Sequence, residues 1–166
     1  MNVLNVHKRI INQPKEEVLK LLKTLATQDD KIWPDKKWPA IRFKEGLKEG
    51  SKGGHGIIRY NITEYNFEDS IYFKFTKPSG FDGYHSFKIN ELGHNKTEVI
   101  HCIDMKTYGM STFSWIVIIR WLHDALIEDA LDKIENHFSL EKTASTYSVW
   151  VKILRAYFKV KRKINT

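Results

Sequence analysis

The 166-residue chain has a single cysteine, four prolines and no apolar run of membrane-spanning length. With Cys102 alone, there is no disulfide framework and no cysteine-rich zinc site, and a reducing compartment is the natural setting. The apolar run from Trp115 to Ile119 is far below the roughly 20 residues that a spanning helix requires, and Arg120 ends it. No basic leader followed by an apolar stretch is found at the start, so a cytoplasmic protein is expected. Repeats of solenoid length and low-complexity segments are also missing. Acidic residues are scarce at the other end. Residues 139 to 166 hold Lys142, Lys152, Arg155, Lys159, Lys161, Arg162 and Lys163 against Glu141 alone, which puts +6 of the net +7 there. The nearly neutral body carries no basic reading motif, so nucleic acid is not an expected partner.

What is present suits one packed domain. Hydrophobic residues make up 42% of the chain and aromatics 13%, enough to close a core at this length. Leu4, Val6 and Ile10 alternate with Asn5, His7 and Arg9, which predicts a half-buried strand with its apolar side inward. Pro14 can start a helix in which Val18, Leu21, Leu22 and Leu25 share a face. After a stretch broken by Trp33-Pro34, Trp38-Pro39 and the glycines from Gly46 to Gly56, four segments alternate with period two. Their inward sets are Ile58/Tyr60/Ile62, Ile71/Phe73/Phe75, Phe87/Ile89 and Val99/Ile103/Met105, and the short turns between them predict an antiparallel meander. From Thr112 to Phe138 the period becomes helical, capped by Ser111 or Thr112. Trp115, Ile116, Ile119, Leu126, Ile127, Ala130 and Ile134 lie on one face, and Asp124, Glu128, Asp132 and Glu135 opposite.

Ile10-Ile11-Asn12-Gln13-Pro14-Lys15-Glu16-Glu17-Val18 is similar to the strand end and proline-started helix of the SRPBCC or START-like superfamily. Trp33-Pro34 and the glycines before Ile57 resemble its next landmarks. The resemblance covers residues 3 to 138 and rests mainly on the order of elements. It implies an α+β helix-grip fold, a curved antiparallel sheet wrapped around a long C-terminal helix with a ligand cavity between them. Relatives hold lipids, polyketides, quinones, plant hormones or other apolar molecules. Some are cyclases or dehydratases, and many only bind or transport.

One domain and a separate tail are therefore expected: residues 1–138 as a helix-grip ligand-binding domain, and residues 139–166 as a basic amphipathic C-terminal extension. An apolar cavity of about 300 to 1,000 Å3 should lie between helix and sheet. Its lining is expected from Tyr60, Phe73, Phe75, His85, Phe87, His101, Ile103, Ile119, His123, Leu126 and Ile127. The three histidines fall in phase with the apolar faces, where an imidazole can orient a carbonyl or hydroxyl, serve as acid or base, or stand as a core residue bonded to a backbone carbonyl. Binding of a small apolar or amphipathic ligand leads, with a cyclase, dehydratase or hydrolase as the alternative. No cofactor is implied, and no metal site is expected from His85, His101 and His123, because no pair has the i, i+4 or short-loop spacing that seeds one. The glycine cluster leads into a strand and reads as a turn; a phosphate loop would lead into a helix. Cys102 reads as a small buried hydrophobe. In the extension, Trp150, Ile153, Leu154, Tyr157, Phe158 and Ile164 form an apolar side, opposite Lys152, Arg155, Lys159, Arg162 and Lys163. Such a helix can pack on its own domain, meet a partner, or lie on an anionic membrane.

Overall fold

The period-two segments build one antiparallel sheet in the computed structural model, which describes the backbone of residues 1–164 and the side chains of 1–159. Its strands are β1 (Asn2–Ile11), β2 (Arg42–Phe43), β3 (Lys52–His55), β4 (Ile58–Asn66), β5 (Ser70–Lys77), β6 (Phe81–Gly93) and β7 (Lys96–Thr107). They run in the order β1-β7-β6-β5-β4-β3-β2, so the first strand lies beside the last. Helix α1 (Lys15–Leu22) follows Pro14, and Leu25, just past its end, is still fully buried. The inward sets of β4 to β7 are all buried, as their alternation predicts. Each fully buried Ile or Phe contributes about 1.5–3 kcal/mol, so these strands hold the centre of the core.

The long helix is continuous but not uniform. A short α2 (Met110–Ser114) passes through a π-helical turn (Trp115–Ile119) into α3 (Arg120–Phe138). An added residue in one turn rotates the faces on either side relative to each other. Trp115 is accordingly buried while Ile116, expected beside it, is 50% exposed. No side chain caps this helix: Gly109 holds the start at φ 52°, and Thr112 donates to the Thr107 hydroxyl instead.

β1 reverses the expected orientation. Leu4, Val6 and Ile10 are exposed, whereas Asn5, His7 and Arg9 turn inward beneath α3. Alternation defines two faces without saying which is inside, and here charge decides. The supposed outer face of the helix meets β1, so Asp124, Glu128, Asp132 and Glu135 supply partners for groups that would be costly to bury alone. The glycine cluster also differs from expectation. Gly53 is inside β3, where a Cβ would come within 2.2 Å of the Arg42 carbonyl oxygen, so close strand pairing requires glycine there.

Helix α4 (Val149–Ile164) docks on the body through buried Val151 and Leu154. Arg155 lies 4.1 Å over Trp38 and 4.7 Å over Tyr147, and it donates to the Lys37 carbonyl. Beneath this clasp, buried Asp129 accepts from Lys37, Trp38 Nε1 and the Tyr147 hydroxyl.

Candidate functional site: an imidazole row on the concave face

The register of the central strands sets His85 opposite Phe73 and Ile103, and His101 opposite Phe87 and His7. A continuous row of polar rings results. His55, on β3, lies 5.9 Å from Tyr60; Tyr60 lies 4.5 Å from His85; His85 lies 5.6 Å from His101; and His101 lies 5.0 Å from His123 on α3. The row is bedded in aromatics. His85 stacks on Phe73 at 4.5 Å and on Phe75 at 5.0 Å, and His101 meets the edge of Phe87 at 4.7 Å.

Tyr60 Oη, His85 Nε2, His101 Nδ1 and His123 Nε2 are all buried without a hydrogen-bond partner among the described residues. Each such group costs about 1–3 kcal/mol when it is left unsatisfied. Burial drives the pKa of His85 and His101 well below the ordinary imidazole value, so both are neutral. Burial also lowers His123, against the pull of Asp124 beside it, and pushes His55 down to about 3. The Tyr60 hydroxyl is raised by the same desolvation and stays protonated.

The row ends at the β1–α3 seam, where the electrostatics invert. His7 Nδ1 pairs with Glu128 at 2.7 Å and Nε2 with Asp124 at 3.2 Å. Burial opposes charge on His7, yet these carboxylates outweigh it and raise its pKa. Burial would raise Asp124, but bonds from His123, His7 and Asn5 hold it well below the carboxylate range. Sequence patterning missed His7, Asp124 and Glu128. The available signal was the match of alternate polar residues on β1 to acids spaced one helical turn apart. His55 had no comparable signal, because its place depends on a strand made largely of glycine.

Of the residues expected to line a cavity, Tyr60, Phe73, Phe75, His85, Phe87, His101, Ile103, Leu126 and Ile127 are buried, and Ile119 and His123 are partly buried. Two surface concavities lie elsewhere: one of about 740 Å3 on the convex face by Tyr72, Tyr84, Lys88 and Asp104, the other of about 640 Å3 at the β2–β3 edge, lined in part by Phe43, His55 and Tyr60. Leu126 and Ile127, expected to line the cavity between helix and sheet, belong to the buried core cluster. Toward the front of α3, Ile119, Leu122, His123 and Ala125 are only partly buried. Cys102, expected inside, is half-buried on the convex face and borders the larger concavity.

On α4, Trp150, Ile153 and Tyr157 are 40%, 52% and 60% exposed, with Lys152 and Lys159 exposed nearby. Arg155, expected on the free basic side, is turned onto the body by its aromatic partners. Arg162 and Lys163 have side chains outside the described residues. Among the described residues, no helix is long and apolar enough to cross a membrane.

No family model matches this chain, and no curated protein is similar to it. Solved structures do share its shape. Norcoclaurine synthase from Thalictrum flavum, in complex with dopamine and hydroxybenzaldehyde, superposes with TM-score 0.63 at 8% identity over 85% of this chain and 90% of its own. CalU16 from Micromonospora echinospora gives TM-score 0.56 at 12% identity over 95% and 91%. A protein from Thermobifida fusca gives 0.64 at 8% identity over 87% and 99%. At these identities the likeness establishes the helix-grip fold alone.

Proposed function

We propose that the protein binds a compact amphipathic small molecule between the front of α3 and the concave face of the sheet. Four orphaned polar atoms in one aromatic bed carry this reading. At about 1–3 kcal/mol each, they impose a cost that a purely structural core avoids by using apolar residues. A guest with two or more hydrogen-bonding groups offsets it, while Phe73, Phe75 and Phe87 hold its apolar part. Entry requires the partly buried front of α3 to move, and the π-helical turn gives that half a separate local geometry. The solved structure of a helix-grip synthase holding two small aromatic molecules supports the same scale of ligand.

The test is native mass spectrometry of the full chain purified from its own host, with solvent extraction of whatever is bound. A recovered small molecule that is lost from Tyr60→Phe and His101→Leu proteins is expected. Ligand-free protein throughout overturns the proposal.

The exposed stripe of α4 favours a second role, peripheral contact with an anionic membrane. Its apolar side chains are already outside the fold and flanked by lysines, so no part of the core has to open to present them.

A further inference from the structure

We propose that His7, His123 and Asp124 bind a divalent transition-metal ion of the zinc class, bridging β1 to α3. His7 Nε2 lies 3.2 Å and His123 Nδ1 3.5 Å from the same oxygen, Asp124 Oδ1. Potential ligand atoms of the three residues all fall within 4.8 Å of one another. A tetrahedral ion with bonds of 2.0–2.1 Å sets its ligands about 3.4 Å apart, so only small side-chain shifts bring this set into coordination. Two imidazoles and a carboxylate suit zinc, iron or cobalt, whereas magnesium and calcium prefer oxygen alone.

The surroundings are those of a metal site as well. Glu128 bonds His7 Nδ1 at 2.7 Å, fixing the ring so that Nε2 faces Asp124, the arrangement by which an outer carboxylate orients a ligating imidazole. Arg9 holds the other oxygen of Glu128, and Arg120 lies 3.7 Å from the outer oxygen of Asp124. Asp124 Oδ1 therefore remains for the cluster. Asn5 donates to that oxygen at 2.9 Å, while its own Oδ1 is buried and without a partner among the described residues, an oxygen available beside the ion. Coordination displaces the proton that His7 now shares with Asp124. It also leaves His123 Nε2 as an N–H donor, because metal occupies Nδ1.

The proposal stands apart from small-molecule binding and is tested without it. The full chain, freed of metal by a chelator, is titrated with Zn(II) by calorimetry and with Co(II) by its visible d–d absorption. One equivalent should bind, with the intense absorption of a four- or five-coordinate ion. His7→Gln and Asp124→Asn should each weaken binding by more than about 100-fold, and Glu128→Gln, which leaves the ligands in place, by about 10-fold. His94→Gln, on the exposed surface, should change nothing. Circular dichroism checks that each variant is folded, and Glu128→Gln remains informative if a ligand variant is not. Absence of binding by the native chain overturns the site. So does binding that His94→Gln removes, or that Glu128→Gln leaves unaltered.

Discussion

His7 and His101 are register partners on adjacent strands, both on the concave side, yet they occupy opposite electrostatic worlds. His101 is 1% exposed, surrounded by Phe87 and neighbouring imidazoles, and burial keeps it neutral. His7 has a carboxylate at each ring nitrogen and is held toward its charged form. The boundary between an apolar bed and a polar seam thus falls between two neighbouring strands. In one region a polar atom is tolerated without a protein partner, and in the other every charge is matched by its opposite. The first arrangement suits a removable guest. The second joins the first strand to α3.

Removing the central cation of the seam gives the largest expected effect. Arg9 reaches Glu128, Asp132 and Glu135, and Asp132 is buried. Arg9→Met keeps most of the packing but leaves the carboxylates facing one another, so unfolding in urea should show a loss of about 3 kcal/mol. A loss under about 1 kcal/mol would make the seam an ordinary surface ion network. In the apolar bed the sign should reverse. His101→Leu replaces an orphaned polar ring with an apolar side chain and should gain about 1 kcal/mol while losing ligand. A destabilised variant would mean that His101 is satisfied by something structural.

Acid should separate the two regions further. His55, His85, His101 and His123 have folded pKa values below the unfolded value of 6.5, so their contribution is complete above pH 6.5 and is lost as pH falls toward the folded values. His7 has a raised folded pKa, so its contribution is complete below 6.5 and is lost as pH rises through the folded value. Four groups oppose one, and the urea midpoint should fall between pH 7 and pH 5. The fall should be shallower in His101→Leu. In the chelator-treated, metal-free chain the stability lost in His7→Gln should be greater at pH 6 than at pH 8; the reverse order would remove the charged imidazole from the seam.

Much of the fold was legible because burial of β4 to β7 follows a simple alternation, from Tyr60 through Met105. β1 was misread because its polar residues are the inward ones, and only the position of α3 reveals their partners. Tyr60, His85, His101 and His123 could be placed by phase alone. Their lack of partners could not, since satisfaction depends on three-dimensional neighbours. The π-helical turn escaped for a related reason: a wheel drawn at constant pitch cannot carry the rotation that turns Ile116 outward while Trp115 stays in.

The smallest expected effect concerns α4, where the contrast between buried and exposed apolar residues repeats on a single helix. Val151 and Leu154 face the body, Ile153 and Tyr157 face away, and Trp150 lies between, 40% exposed. The Trp150 indole donates to the Val117 carbonyl at 2.9 Å, which sets this stripe beside exposed Ile116. An anionic bilayer can take up such a stripe as nearby lysines approach the headgroups, each basic residue adding about 1 kcal/mol. The full chain should co-sediment weakly with vesicles of mixed phosphatidylserine and phosphatidylcholine at low salt, less at high salt, and not with phosphatidylcholine alone. Deleting the helix would confuse the result, because Val151, Leu154 and the Arg155 clasp belong to the fold. The double variant Ile153→Ser and Tyr157→Ser leaves that docking and the Trp150–Val117 hydrogen bond in place and should sharply reduce co-sedimentation with an unchanged urea midpoint. If it sediments as well as the native chain, the membrane role falls and α4 is a packing element only.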